Sequence, residues 1–376
     1  MAPNLPASGI QLRSLVRTDG VLELSLAEAP VIPPGEGEVL VRIDAAPINP
    51  GDLGALLGPA DLATLQADGG VTTASIPPAL RRVVAGRIGQ SMPTGVEGAG
   101  VVIAAGPDAA SQALVGRTVA VFGGGMYARY RTLPAAAVLP MNEGARPADA
   151  AASFANPLTA LSMVESLRME GHTALVHTAA ASNLGRMLVR VCRADGVGLV
   201  NIVRSEAQAQ QLRELGAVHV VDSSAPGFMA DLAAAIAATD ATLAFDAVGG
   251  GQLANQILAA MEQAQGVQAG GYSRYGSSRH KQVYIYGGLD TRPTELARSY
   301  GMAWSVGGWI LTGFLAKLKP QDVLRLRRRV VDELTTTFKS QYTAEISLRE
   351  ALEPEVIRAF SRKGTGGKFL IRLDRD

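Results

Sequence analysis

The chain has a single cysteine, Cys192, so it can form neither an intrachain disulfide nor a multi-thiolate metal site. Histidine is scarce too: there are four, none at metal-ligand spacing from acids or thiols. Excess charge is also missing, with 35 Lys and Arg against 34 Asp and Glu, a net charge of +1. That balance removes the electrostatic case for nucleic acid or an anionic membrane as partner. The most apolar long stretch, Ala303–Leu318, is interrupted by Gly307, Gly308 and Gly313 and is too short to span a bilayer. Residues Met1–Gly9 lack the basic and apolar regions of a secretory signal. These absences together give the expectation of a soluble, cytoplasmic protein of a reducing compartment. Apolar residues are plentiful, 47% against 18% charged, which supplies real cores for about two domains and excludes a disordered chain.

Two textures divide the 376 residues. Up to about Leu139, short alternating runs (Ile10–Val16, Val21–Leu26, Glu38–Ala45, Gly100–Ala104, Thr118–Phe122) are separated by Gly- and Pro-rich turns. Such alternation predicts a largely antiparallel β domain. From about Pro157, apolar runs at Ala174–His177, Leu199–Val203, Val218–Val221 and Leu243–Phe245 are each followed by a helical pattern. That rhythm predicts a parallel sheet covered on both faces, with Val283–Tyr286 as a further strand. The tail reads as helix through Trp304–Leu318 and Val323–Thr335. A closing strand, Lys368–Leu373, is expected to return to the first domain's sheet.

The strongest chemical signal is Leu175 to Gly185, a strand, a tight turn and a helix start. A dinucleotide pyrophosphate needs close backbone approach and the positive end of a helix. Ala179, Ala180 and Ser182 take the turn positions that glycines usually fill, and Gly185 remains for close helix–strand packing. The Ser182 hydroxyl adds a partner for a phosphate oxygen. After the second strand, Arg204-Ser205 stands where an NAD-type site places a carboxylate, which favours a 2′-phosphate and hence NADPH. Glu206 serving the ribose, with NADH as cofactor, is the alternative.

With these residues in view the chain resembles the medium-chain dehydrogenase/reductase superfamily, in its zinc-free branch of quinone oxidoreductases and 2-enoyl thioester reductases. The similarity runs from about Glu38 to Leu373. It rests on Ala46 to Asp52 (APINPGD), Gly95 to Val102 (GVEGAGVV), Asn156 to Ala160 (NPLTA), the Ala179–Gly185 turn, Phe245 to Gly250 (FDAVGG) and Gly367 to Leu370 (GKFL). The resemblance implies an α/β fold: a GroES-like catalytic domain, residues 1–155 plus 293–376, interrupted by a Rossmann domain, residues 156–292. It implies hydride transfer from a nicotinamide cofactor, with Asn49 and Thr159 beside nicotinamide or substrate. Ala180, Ser182, Asn183, Leu184, Gly185, Arg204, Ser205, Val248, Gly249, Gly287 and Lys368 become the cofactor-binding candidates. A homodimer paired through Val283–Tyr286 is also implied.

Departures from the family's pattern narrow the reading. Zinc-dependent relatives have Cys where this chain has Asn49 and His where it has Val96, so no zinc is expected. Enoyl thioester reductases carry a tyrosine soon after the Asn-Pro pair; that position is empty here, the first tyrosine being Tyr127, so the candidates for proton donation are Tyr127, another side chain or solvent. Residues 58–93 are surplus to the family's usual spacing. They hold Arg81, Arg82 and Arg87 on a helix-like Pro78–Arg87, read either as a lid meeting an anionic group or as a surface helix. The expected substrate is a small activated alkene or quinone. NADH-dependent reduction of an aldehyde or ketone, and cofactor binding without turnover, are the rival readings.

Overall fold

The computed structural model describes residues 5–269, 273–362 and 368–375. They form two compact units, Met1–Ala155 with Arg327–Asp376, and Asn156–Leu326.

The first unit begins with β1 (Ser8–Val16), β2 (Val21–Pro30) and β3 (Glu38–Pro47), followed by a short helix α1 (Pro50–Leu56). Next come β4 (Gln66–Asp68), β5 (Val71–Ser75), β6 (Ser91–Pro93), β7 (Glu97–Ala105), β8 (Thr118–Phe122), β9 (Tyr130–Pro134) and β10 (Val138–Pro140). Strand alternation places the core. In β2, Leu22 and Leu24 are buried while Val21, Glu23 and Ser25 are partly exposed. One sheet runs β4-β5-β2-β1-β6, all of its pairs antiparallel. Leu12, Leu24, Val41, Ile43, Val119 and Val121 share a single apolar cluster.

Residues 58–93 do not form a free lid. Their strands β4, β5 and β6 extend the first sheet on both sides of the β1–β2 pair. Pro78–Arg87 is a 3₁₀ helix, and Arg87 donates to Ala55 O at 2.7 Å and Ser14 Oγ at 2.6 Å. Its guanidinium therefore ties α1 to β1, and the expectation that all three arginines face an anionic ligand is corrected.

The second unit holds α2 (Ala155–Met169), β11 (Ala174–His177), α3 (Asn183–Asp195), β12 (Gly198–Val203), α4 (Glu206–Glu214), β13 (His219–Asp222) and α5 (Phe228–Thr239). It continues with β14 (Leu243–Asp246), β15 (Gly249–Gly251), α6 (Leu253–Ala269), β16 (Lys281–Ile285), β17 (Asp290–Thr294) and β18 (Trp304–Gly308). Among the described residues its main sheet has the order β13-β12-β11-β14-β16-β18, every pair parallel. All four residues of β11 are buried, as a strand covered on both faces requires.

Three expectations change here. Trp304–Gly308 is strand, not the start of a helix; its Trp and Val suit a pleated surface, and it pairs in parallel with β16. The second unit therefore runs to Leu326 instead of ending at 292. The strand through which a homodimer was expected to pair is interior too, because β16 is flanked by β14 and β18. β18 ends the strand order on that side.

The chain returns through α7 (Pro320–Asp332) to β19 (Ala344–Ile346) and β20 (Phe369–Arg372). β20 pairs antiparallel with β3, so the closing strand joins the first unit's second sheet, β10-β8-β7-β3-β20-β19, with β9 also on β3. Among the described residues no helix is long and apolar enough to cross a membrane.

The β3–β7 pairing is close enough to dictate a residue type. A Cβ on Gly100 would lie 1.8 Å from the Arg42 carbonyl oxygen. Gly100→Ala should lower unfolding free energy by about 3 kcal/mol, read as a shifted urea midpoint, because backbone must move to admit the methyl group. An unchanged midpoint would contradict this packing.

Candidate functional site

The first unit's candidate group is built at the end of β3. Pro50 starts α1, and the residue before it, Asn49, caps that helix. The Asn49 backbone N–H donates to Asp52 Oδ2 at 2.7 Å, and Val96 N–H donates to Asp52 Oδ1 at 2.7 Å. Asn49 Nδ2 donates to Glu97 Oε1 at 3.0 Å. Glu97 Oε2 accepts from Phe154 N–H at 3.0 Å and Ala155 N–H at 2.9 Å. A carboxylate facing the Asn49 amide fixes the nitrogen toward Glu97 and the oxygen away from it.

Burial pushes the Asp52 carboxyl from 3.8 up to about 6, aided by the charge of Glu97 and opposed by its two backbone N–H donors. Tyr127 sits against this group, fully buried, its hydroxyl donating to Pro47 O at 3.1 Å. Burial and the neighbouring Asp52 hold its phenol well above the usual range. A fully buried phenol engaged this way packs the group together, and in this structure the hydroxyl of the expected donor Tyr127 is turned to Pro47. Lys368 is buried beside the same carboxylates. Gly367 of the family-like motif lies outside the described residues.

In the second unit the turn between β11 and α3 has the geometry a phosphate requires. Ser182 caps α3, its Oγ accepting from Gly185 N–H at 3.1 Å while it keeps a proton to donate. A Cβ on Gly185 would stand 2.0 Å from Ala180 O, so only glycine fits. Ala180 N–H donates to Ile202 O, which ties the turn to β12. Ala179 takes φ 51°, a left-handed conformation that costs an alanine roughly 1–2 kcal/mol. Backbone strain at a turn where a helix begins is a mark of a binding loop. Asn183 and Leu184 form the first turn of α3.

The neighbouring strand ends are laced together by one acid. Asp246 accepts from Thr178 Oγ1 at 2.7 Å, Val248 N–H at 2.8 Å and Gly249 N–H at 3.1 Å, and Thr178 Oγ1 accepts from Ala247 N–H at 2.8 Å. Gly249 and Gly287 are in close backbone approach: a Cβ on Gly249 would lie 2.7 Å from Gly287 O. The carboxyl ends of β11, β14 and β16 thus form one rigid rim, where open α/β sheets bind ligands. His177, on β11, meets the Tyr286 hydroxyl at 2.8 Å, and burial lowers it to about 3, so it is neutral.

At the end of β12, Arg204 is exposed and its backbone N–H donates to Gln208 Oε1 at 3.1 Å. Ser205 caps α4. Glu206, the alternative ribose ligand, pairs with Arg213. Thr159 is buried in α2. Among the described residues no group of three or more His, Cys, Asp or Glu stands ready to hold a metal ion.

Reading the sequence alone missed the roles of Asp52, Thr178 and Asp246. An acid following a buried apolar strand, as in Leu243–Asp246, was the available signal for the last of these.

Residues 35–143 match the alcohol dehydrogenase GroES-like domain. The synaptic vesicle membrane protein VAT-1 homolog of Rattus norvegicus is 29% identical over 218 residues, 56% of this chain and 48% of that protein. The mitochondrial enoyl-[acyl-carrier-protein] reductase of Xenopus tropicalis is 28% identical over 227 residues, 57% of each chain. The chain spans about half the length of these curated relatives. A solved structure from Mesorhizobium loti, provisionally assigned as an NADPH:quinone reductase, superimposes with a TM-score of 0.73 at 26% identity over 98% of this chain and 99% of that one.

Asp52 gives the first unit a pH signature. Its folded value lies above 3.8, so the native state favours the protonated form. The stability it contributes is present below pH 3.8 and is lost as pH rises through about 6. A difference of two units corresponds to about 3 kcal/mol. Relative to Asp52→Asn, the wild type should gain that much in urea unfolding between about pH 7 and about pH 4. A pH-independent difference would contradict the burial of this carboxyl.

Proposed function

From the premise that this chain is of the medium-chain dehydrogenase/reductase superfamily and resembles its quinone- and enoyl-reductase branch, we propose that it is a zinc-independent, NADPH-preferring oxidoreductase. Its substrates are activated double bonds or quinones. The observation that carries this reading is the β11–α3 turn, where a Cβ on Gly185 would occupy the space beside Ala180 O, combined with Arg204 at the end of β12. A dinucleotide fits these residues. Ser182 and the first turn of α3 would hold its pyrophosphate, and Arg204 with Ser205 a 2′-phosphate.

When bound, the reduced nicotinamide supplies the hydride. The chain's own residues supply orientation and electrostatics. Val248, Gly249 and Gly287 form a rim stiffened by Asp246, and Asn49 is held in one orientation by Glu97. Thr159 and Asn49 are the residues proposed to flank the reacting groups. A homodimer built by sheet pairing would use β18, the strand that ends the order.

The reading is tested by loss of NADPH absorbance with a panel of quinones, enones and enoyl thioesters. Turnover of at least one class is expected, and inertness toward all of them would overturn the proposal. NADPH should bind more tightly than NADH, and Arg204→Asp should cost NADPH several-fold in affinity, on the order of 1 kcal/mol for an exposed charge contact. Equal affinities in the wild type would remove Arg204 from the site. Elemental analysis should find well under one zinc per chain, with activity unchanged by a chelator; stoichiometric zinc would contradict metal independence.

A further inference from the structure

The first unit holds a cavity of about 360 Å³ at the Arg372 end of β20, where Arg372 stands opposite Ala45 in the β20–β3 ladder. Its volume lies within the range of small-molecule sites, roughly 300–1,000 Å³. Neither Asn49 and Glu97 nor any residue of the β11–α3 turn lines it. β3 contributes Asp44, and the short helix Pro147–Ala150 with its cap contributes Arg146 and Asp149. The closing segment of the chain contributes Lys339, Glu345, Arg372 and Asp374.

Every carboxylate in that wall is already engaged. Asp44 Oδ1 accepts from Arg42 Nε at 3.0 Å and Arg129 Nη1 at 3.1 Å. Asp149 accepts from Arg146 Nε at 2.8 Å and Nη2 at 3.0 Å. Glu345 Oε2 accepts from Arg372 Nη1 at 2.8 Å and Arg375 Nη2 at 2.9 Å. Asp374 accepts from Arg372 Nε at 3.0 Å and Nη2 at 2.7 Å.

The cations are not used up in the same way. A guanidinium carries five N–H donors. Arg146 spends two on Asp149 and keeps three, and Arg372 spends three on Glu345 and Asp374 and keeps two. Lys339 is exposed, and its ammonium has no ion pair among the described residues. Six cations (Arg42, Arg129, Arg146, Lys339, Arg372 and Arg375) thus stand with four carboxylates, two positive charges in excess. Like charges gathered without a counterion oppose the compact state, and a dianion relieves them. Ala45, Pro147, Ala148 and Leu334 give the same wall an apolar portion.

We propose that this cavity binds a small organic dianion, an apolar body carrying a phosphate ester or two carboxylates. Its oxygens take the spare N–H donors of Arg146, Arg372 and Lys339, and its body meets the apolar portion. The site is separate from the residues assigned to the dinucleotide, so it stands whether or not the chain reduces a quinone.

Calorimetric titration at pH 8 and low salt tests it, with phenyl phosphate and phthalate as dianions and benzoate as the singly charged control. At least one dianion should bind at one site per chain, about ten-fold more tightly than benzoate or more. Tighter binding of phenyl phosphate assigns a phosphate ester, and tighter binding of phthalate a dicarboxylate. Lys339→Ala and Arg146→Ala remove exposed side chains, and each should weaken the dianion about five-fold without lowering the melting temperature of the unliganded protein. Arg204→Asp, in the second unit, should leave the affinity unchanged. If neither dianion binds, or benzoate binds as tightly, the proposal is overturned. It also fails if Arg204→Asp abolishes binding while both first-unit variants retain it, since the anion then sits in the second unit.

Discussion

The buried carboxylate of Glu97 is the constraint on which the first unit's chemistry depends. A fully buried acid is tolerated only when its oxygens are bonded, and here the Asn49 amide and the backbone of Phe154 and Ala155 do so. In meeting that need the chain fixes the end of β3, the orientation of Asn49 and the start of α2. Asp52, one helical turn on, performs the same service for the Asn49 and Val96 amides. Burial drives the upward shift of Asp52, and the charge of Glu97 adds a smaller push in the same direction.

The second unit solves a different problem, a tight turn from strand into helix at the carboxyl ends of its strands, with little glycine. Gly185 is irreplaceable because Ala180 O occupies the space of a Cβ. Ala179 adopts the left-handed conformation that glycine would take without strain. Asp246 then locks the adjacent strand ends through three bonds.

The fold was legible where periodicity was strong. Fully apolar runs such as Ala174–His177 announced the parallel strands, and Pro- and Gly-bounded alternation announced the antiparallel ones. Trp304–Gly308 was misread because five residues with two large apolar side chains, a serine and two glycines have no period of their own; only pairing with β16 decides it. The insertion's fate was equally hidden, since β-pairing across sequence distance, as between β6 and β1, leaves no local mark. In the β11–α3 turn, the close packing that demands glycine at Gly185 was readable from spacing. Tyr127 was not, because the sequence carries no sign that its hydroxyl is taken by Pro47. Lys368 comes to stand beside the end of β3 only because β20 returns to it from the far end of the chain.

The central claim is that this chain transfers hydride to an electrophilic carbon. It is tested most directly by reacting an enone with NADPH deuterated at the transferable C4 position and analysing the product by mass spectrometry. The account predicts one deuterium at the β-carbon of the saturated ketone, with the α-hydrogen drawn from solvent. A product without deuterium at the β-carbon, or a label at the carbonyl carbon of an allylic alcohol, would contradict it.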